Sequence, residues 1–341
     1  MAETSGQRSQ QRVNMYDVAR LAGVSHMTVS RVLNGHPNIR DTTRERVLKV
    51  IAQTNYTPSH IARALVTQKA MRIGAIVDSP VQFGPNSTLR ALEAAARQAG
   101  YAVSTFSISD SDRQSVDAGA VELVMERVDA LCVIAPRESS LDVLGRLNLS
   151  LPTIVIKSEP HPAMHTVGVD QHSGAILAVN HLIELGHRSI LHVSGPQDWY
   201  DARVRQRGWK DALTAAGLEL TTPITGDWTS DFGYEFAKDF EFNNSTAIFA
   251  ANDQMALGII HGLAARGLRV PEDISVVGFD DLPDARHFLP PLTTVRQDFA
   301  ALGVLAMNSI SSAIAGSRPG QHELIAPRLK VRRSTARVTD R

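Results

Sequence analysis

Tyr16-Asp-Val-Ala-Arg-Leu-Ala-Gly-Val-Ser-His-Met-Thr-Val-Ser-Arg-Val-Leu-Asn-Gly35 carries two short apolar periodicities separated by a glycine. Asn14, just ahead of it, can cap a helix, with Asp17 in the opening turn and Val18, Leu21 and Ala22 forming one apolar face. Gly23 ends that helix. Ser25 can cap a second one running to Leu33, with Val29, Val32 and Leu33 turned to a core and Asn34-Gly35 closing it. Thr42-x-x-Glu45 has the form of a capping box and opens a third helix reaching about Thr54, with Val47, Val50 and Ile51 inward. Helix, glycine turn and capped helix at this spacing make a helix-turn-helix, and the third helix completes a small independent bundle.

The second helix is built to lie in a DNA major groove. Val29 and Val32 hold it to the bundle while its N-terminus presents His26 and Met27 outward, where side chains reach base edges. Arg31, one turn on, can reach a guanine or a phosphate, and Arg44 and Arg46 on the third helix add phosphate contacts that position without reading sequence. Charge agrees. Residues 1–72 hold 11 Lys+Arg against 4 Asp+Glu, a net of +7, and the remainder holds 24 against 31, a net of −7, so the formal total is zero. A basic head on an acidic body points to a polyanion partner for the head alone.

The other bounds are simple. With 341 residues, 43% of them hydrophobic, the chain has material for one large two-lobed unit or two domains. Its one cysteine, Cys132, lies in the apolar run Ala130-Leu-Cys-Val-Ile-Ala135, so a disulfide framework is excluded, a reducing compartment fits, and a packing role is expected. The N-terminus lacks the apolar core of a signal peptide, and no stretch approaches the roughly 18 apolar residues a membrane helix needs. The expected location is the cytoplasm, with no membrane partner.

From Arg72 onward, β-branched runs alternate with amphipathic helices, the signature of βαβ units and a parallel sheet. Candidate strands cover residues 73–77, 102–106, 130–135, 153–156, 189–193, 246–250 and 274–278, with helices over 89–99, 174–185, 204–215, 254–266 and 299–315. So many βα units exceed one ordinary sheet, which predicts two similar lobes with a cleft between them.

Tyr-Asp-Val-Ala, Ala-Gly-Val-Ser and Thr-Val-Ser-Arg-Val-Leu-Asn in the head closely resemble the LacI/GalR family of bacterial transcription regulators, as does Asn55-Tyr-Thr-Pro58. The body adds Leu185-Gly-His-Arg188, Ala251-Asn-Asp-Gln-Met-Ala-Leu-Gly258, Asp273-Ile-Ser-Val-Val-Gly-Phe-Asp-Asp281 and Pro290-Pro-Leu-Thr-Thr-Val-Arg-Gln-Asp-Phe299, so the resemblance spans nearly the whole chain.

The resemblance implies a small all-α helix-turn-helix head on an α/β two-lobed body of periplasmic-binding-protein type. Residues 1–13 would be a disordered lead, 14–57 the head, 58–71 a hinge and linker, 72–335 the effector-binding and dimerisation domain, and 336–341 a tail. Lobe 1 would comprise about 72–169 and 299–326, lobe 2 about 170–298 and 327–335. Contacts with double-stranded operator DNA would come from Tyr16, Ser25, His26, Met27, Thr28, Ser30, Arg31 and Asn34, with Arg63 and Leu65 in a hinge that becomes helical on the operator. Pro58 delays that helix, and an inserted Leu65 can kink a minor-groove step.

For the cleft the resemblance implies that Arg205, Asn252 and Asp280 hydrogen-bond a small-molecule effector while Trp228 and Phe299 stack on it, a combination suited to a carbohydrate. Lys157 falls where a sugar-binding member of the family has an aspartate, and Asp78 where it has a serine. The two are expected to approach each other and read a hydroxyl or an acidic group. Trp199-Tyr200, placed near the cleft mouth, would lengthen the site. His26 and Met27 replace that member's tyrosine–glutamine pair, which predicts a different operator. A homodimer is expected, and the lack of leucine heptads after Arg332-Arg333 argues against a tetramer-forming tail.

An enzymatic reading finds no support: there is no His-Glu-x-x-His, no Gly-x-Ser-x-Gly elbow and no phosphate loop, and adjacent Asp280 and Asp281 point apart after a strand. His181, His187 and His192 sit at helix and strand positions suited to structural roles. No catalytic residue, metal or cofactor is expected. The rival is a stand-alone sugar-binding protein, which the head disfavours; a corepressor-dependent repressor or an activator is the alternative within the family.

Overall fold

The computed structural model describes residues 13–33, 36–54, 56, 70–79, 81–108, 127–142, 151–242, 244–316 and 322–338. The lead, Asn34, Arg63, Leu65 and most of the hinge lie outside them. The chain divides into two compact units, Met1–Ala70 and Met71–Arg341.

The first unit contains α1 (Met15–Ala22), α2 (His26–Leu33) and α3 (Asp41–Thr54). Asn14 caps α1 by accepting from the backbone N–H groups of Tyr16 and Asp17 at 2.9 and 3.1 Å, and Asp17 reaches back to the Asn14 N–H at 3.1 Å. Gly23 takes the left-handed conformation, φ +62°, which turns the chain into α2. Ser25 then caps α2, its hydroxyl accepting from the Thr28 N–H at 3.2 Å. Val18, Ala19, Ala22, Val29, Val32, Val47 and Tyr56 form the core, with Val24, Leu33, Ile39, Val50 and Ile51 packed against it.

Two local expectations need correction. Leu21 is 59% exposed: the stripe α1 buries is centred on Val18, Ala19 and Ala22, and at 3.6 residues per turn Leu21 falls about 100° round from it. The third helix is not opened by Thr42. The Arg40 carbonyl accepts from the N–H groups of Thr43 and Arg44 at 2.9 and 3.0 Å, so α3 begins at Asp41 and Thr42 lies within its first turn.

Among the described residues, the second unit holds twelve strands in two six-stranded sheets. The first strands are β1 (Arg72–Asp78), β2 (Ala102–Ile108), β3 (Ala130–Ile134), β4 (Thr153–Ile156) and β5 (His165–Val169), followed by β6 (Ile190–Ser194), β7 (Ile224–Thr225) and β8 (Ala247–Ala250). Then come β9 (Ser275–Asp280), β10 (Thr293–Arg296), β11 (His322–Ile325) and β12 (Arg328–Lys330). The main helices among them are α4 (Phe83–Gln98), α5 (Gln171–Glu184), α6 (Tyr200–Ala215), α7 (Ser230–Asp239), α8 (Asp253–Ala265) and α9 (Phe299–Ile314).

One sheet has the order β11-β5-β4-β3-β1-β2 and the other β12-β10-β9-β8-β6-β7. Pairing is parallel throughout except for antiparallel β10 and β12. The chain passes between sheets three times: after Val169, after Arg296 and after Ile325. Central strands such as β3, β6 and β8 are buried along their whole length, as parallel strands covered by helices on both faces must be. Cys132 is fully buried in this apolar setting, which pushes its thiol up to about 12.

Helix α7 escapes a periodicity reading because Ser-Asp-Phe-Gly-Tyr-Glu-Phe lacks strong helix formers. It forms through packing and capping. Thr229 caps it, accepting from the Phe232 N–H at 3.1 Å, and a Cβ at Gly258 would meet the Ser230 carbonyl oxygen at 1.9 Å, so α7 and α8 touch backbone to backbone. Strands β5, β7, β10, β11 and β12, too short or too polar to be read as strands beforehand, complete the sheets.

Candidate functional site

On the first unit, the N-termini of α1 and α2 present polar and aromatic groups to solvent. Tyr16 is 68% and Met27 56% exposed, and the Tyr16 and His26 rings lie 5.1 Å apart, so the two residues share one surface. Arg31 is exposed on the same helix as His26 and Met27. Ser25 and Thr28 are tied to each other through their hydroxyls at 2.9 Å, and Ser30 is half-buried. Arg44 braces the turn before α3 by donating to the His36 carbonyl at 3.0 Å.

In the second unit a cleft lies between the C-terminal ends of the two sheets, the place where doubly wound sheets accept ligands. It encloses about 700 Å³ of atom-free space, solvent at its opening included. One wall comes from Phe83, Thr88, Ile134, Lys157, Val169, Phe299 and Leu302, the other from Gln171, Trp199, Asp201, Arg205, Trp228, Asn252, Gln254, Asp280 and Gln297. Seven of the eight residues expected at an effector site, all but Asp78, therefore line one space.

Arg205 organises the polar wall from α6. Its guanidinium donates to Gln171 Oε1 at 2.9 Å, to the Ala251 carbonyl, and to Asp280 Oδ1 at 3.5 Å, and it lies 3.9 Å from Asp201. Phe279 packs under it, 3.8 Å from the ring centroid. Gln297 donates to Asp280 at 2.6 Å and accepts from Gln171 at 2.9 Å, closing a buried network of planar groups. Burial pushes the Asp280 carboxyl up to about 6, against the pull of the Arg205 guanidinium and the Gln297 amide. Burial also raises Asp201. Asp280 sits at φ +112° at the end of β9, a strained conformation held by the surrounding network.

Asn252 caps α8, accepting from the Met255 N–H at 2.9 Å while its amide donates to the Trp228 carbonyl at 2.9 Å. This fixes Trp228, itself at φ +76°, beneath Trp199 in a T-shaped contact of 5.4 Å. The indole lies flat on the backbone of Gly195, where a Cβ would stand 2.2 Å from two ring atoms. The Trp228 Nε1–H is buried with no hydrogen-bond partner among the described residues. On the opposite wall Phe83 and Phe299 meet edge to face at 5.7 Å.

Two expectations are corrected by this geometry. Asp78 does not line the cleft; it is buried with Arg137 as its cation at 3.9 Å and accepts from Ser79 at 2.9 Å. Arg137 continues to Asp198 at 3.4 Å and over the Trp199 ring at 5.1 Å, while Lys157 lies over Tyr200 at 4.1 Å, so Asp78 and Lys157 are held by separate partners. Trp199 and Tyr200 are each only 5% exposed, too buried to form an open mouth. Trp199 lines the cleft, and Tyr200 packs into the core beside β1 and β3.

Gln171, Gln297, Asp201, Phe83 and Gly195 are the lining or supporting residues that sequence reasoning missed. Gln297 lay within a motif already quoted, whereas Gly195 has meaning only once Trp228 is seen against it.

His181, His187 and His192 are held by structural partners. His192 is fully buried between Phe249 and Trp209, donates from Nδ1 to the Phe249 carbonyl at 2.9 Å, and burial lowers it to about 4. His181 and His187 bond to Thr335 and Thr246. No group of metal-ligating side chains occurs among the described residues, nor does any helix long and apolar enough to cross a membrane.

A helix-turn-helix unit and a two-lobed cleft define a ligand-sensing DNA-binding protein. Residues 14–59 match the family described as "Bacterial regulatory proteins, lacI family", and residues 179–335 match the "Periplasmic binding protein-like domain". The chain is 32% identical over 326 residues to the lactose operon repressor of Escherichia coli (strain K12), covering 95% of this chain and 91% of that protein. It is 34% identical over 334 residues to the HTH-type transcriptional repressor PurR of Haemophilus influenzae (strain PittEE), covering 94% and 98%.

Among solved structures, the lac repressor dimer bound to operator and the anti-inducer ONPF matches with a TM-score of 0.84 at 31% identity, covering 96% of this chain and 100% of that one. The complex of the transcriptional regulator CelR with cellobiose matches with a TM-score of 0.68 at 28% identity, covering 95% and 100%. The chain belongs to the lacI family of bacterial regulatory proteins. It is a DNA-binding transcriptional regulator with a ligand-binding sensor body, and its relatives are repressors, not enzymes.

Proposed function

We propose that this protein is a cytoplasmic repressor whose homodimer holds two heads on a pseudo-palindromic operator and releases it when a carbohydrate fills the cleft. Tyr16, Ser25, His26, Met27, Thr28, Ser30, Arg31 and Asn34 contact the DNA, with His26, Met27 and Arg31 setting base preference. Arg63 and Leu65 act from the hinge. The operator-bound and sugar-bound relatives described above support this assembly.

The observation that carries the effector class is the composition of the cleft. Aromatic side chains from both walls, Phe83, Phe299, Trp199 and Trp228, face a network of planar hydrogen-bonding groups, Arg205, Gln171, Gln297, Asn252 and Asp280. Ring faces suit the C–H surface of a pyranose, and fixed amide and guanidinium planes suit its hydroxyls. A ligand that contacts both lobes stabilises their closed arrangement by its differential affinity, and that difference biases the operator equilibrium.

Selection from random DNA followed by mobility shift tests the reading. The expected outcome is a pseudo-palindromic site distinct from the lactose operator, a complex weakened steeply by salt, and its loss with one class of carbohydrate. A complex with no sequence preference at moderate salt would remove the regulator reading. A complex tightened by the sugar would reverse the sign of regulation.

A further inference from the structure

Two cations line the cleft among the described residues, and their situations differ. Arg205 is fully engaged by Gln171, Ala251, Asp280 and Asp201. Lys157, the residue following β4 on the opposite wall, is only 7% exposed, yet its ammonium has neither a carboxylate nor a hydrogen-bond acceptor among the described residues. Its one polar contact is the face of Tyr200, with Nζ 4.1 Å from the ring centroid.

The nearby acids are occupied or remote. Glu159 is bound by Arg207 at 2.8 Å and Arg203 at 3.9 Å. Glu138 acts on Lys157 through its field alone, and burial lowers the ammonium's pKa despite both carboxylates. The backbone here is fixed: the Lys157 N–H donates to Val167 at 2.9 Å, and its carbonyl is packed so tightly on Gly168 that a Cβ there would stand 2.4 Å away. The ammonium still reaches the solvent of the cleft, so an anion entering there meets an unpaired, partly desolvated cation.

We infer that Lys157 is the anion-reading residue of the cleft and that the effector is a carbohydrate bearing one carboxylate, a uronic or aldonic acid. The inference rests on the carbohydrate-cleft reading and deepens it. A single ammonium matches a single negative charge. A phosphate dianion would place its second charge among Asp201, Glu159 and Glu138, with no second free cation or bidentate arginine lining the cleft among the described residues to receive it.

The test measures thermal shift and operator release of the full-length protein with D-galacturonate, D-glucuronate and D-gluconate, the neutral sugars D-galactose and D-glucose, and glucose 6-phosphate. At least one sugar acid is expected to bind and to exceed its neutral parent by about 30-fold or more, the scale for truncating one partner of a buried charge pair. Lys157→Met, neutral and of similar length, should abolish that preference, and Lys157→Arg should restore part of it. Folding of both variants is checked by circular dichroism.

Equal binding of acid and neutral sugars, or an acid preference that survives Lys157→Met, overturns the assignment while leaving the carbohydrate cleft standing. Preference for glucose 6-phosphate overturns the carboxylate. Failure of every sugar to bind a protein that still binds its selected operator overturns the cleft reading and this inference with it.

Discussion

Replacing Gly195 by alanine adds one methyl group at the point where the cleft's aromatic wall rests. The new Cβ would stand 2.2 Å from two Trp228 ring atoms and 2.6 Å from a third, where ordinary contact begins near 3.4 Å. The indole must therefore move by about 1.2 Å or the backbone must yield. Movement is resisted on each side. Trp199 meets the indole edge-on at 5.4 Å, Arg205 lies 5.7 Å from its centroid, and the Trp228 carbonyl is held by Asn252 at 2.9 Å.

Overpacking of this kind costs about 1–3 kcal/mol. At roughly 2–4 °C per kcal/mol for a unit of this size, the melting temperature of the body should fall by about 2–12 °C. Displacing the indole also removes a stacking face and moves the Asn252 cap, so effector affinity should drop by about tenfold or more. Calorimetry and ligand titration of the full-length protein measure both. Trimming the ring in Gly195→Ala/Trp228→Phe should recover stability beyond the sum of the single changes, a coupling of about 0.5–3 kcal/mol. A Gly195→Ala protein with unchanged melting temperature and unchanged effector affinity would refute the placement of Trp228 and with it the aromatic wall.

Asp280 is raised from 3.8 to about 6 by burial, so the folded state holds its proton longer than the unfolded one and its contribution to stability falls as pH rises from about 4 to about 6. Asp280→Asn should flatten that part of the stability profile, measured by denaturant melts at successive pH; an unchanged slope would contradict the burial assigned to the carboxyl. In the head, Asn14→Ala removes the acceptor for the Tyr16 and Asp17 N–H groups and should cost about 1 kcal/mol, read by chemical denaturation of the head's circular dichroism signal. Cys132, fully buried with its thiol pushed up to about 12, should react with a maleimide only under denaturing conditions, and rapid labelling of the native protein would contradict its buried place in β3.

Much of this was readable from periodicity and capping chemistry, because the features that fix the head are local. Asn14, Gly23 and Ser25 act on residues within a turn of themselves, and all three do in space what their sequence spacing suggests. Leu21 shows the limit: hydrophobicity alone does not say which apolar side chain of an eight-residue helix meets its neighbours. In the body, strands with continuous apolar runs could be seen, but β11 and β12 are defined by partners far along the chain, and α7 by the glycines of α8.

The cleft divides in the same way. Asn252 and Asp280 lay in recognisable motifs, Arg205 and Trp228 followed from the resemblance, and the structure brings the four together. Asp78 and Lys157 were paired because both depart from the family pattern, yet Arg137, a residue with no local signature, takes Asp78 instead. Charge pairing across lobes depends on loop paths that no periodicity encodes.

The measurement that bears most directly on the account is the affinity of the full-length protein for its selected operator duplex, by fluorescence anisotropy at fixed salt, without effector and with an effector shown by thermal shift to saturate the cleft. The account predicts operator binding weakened by about 5- to 150-fold when the cleft is full, the range of a coupling of about 1–3 kcal/mol, and reciprocal weakening of the effector by the operator. Superimposable titrations with the cleft empty and saturated would contradict it.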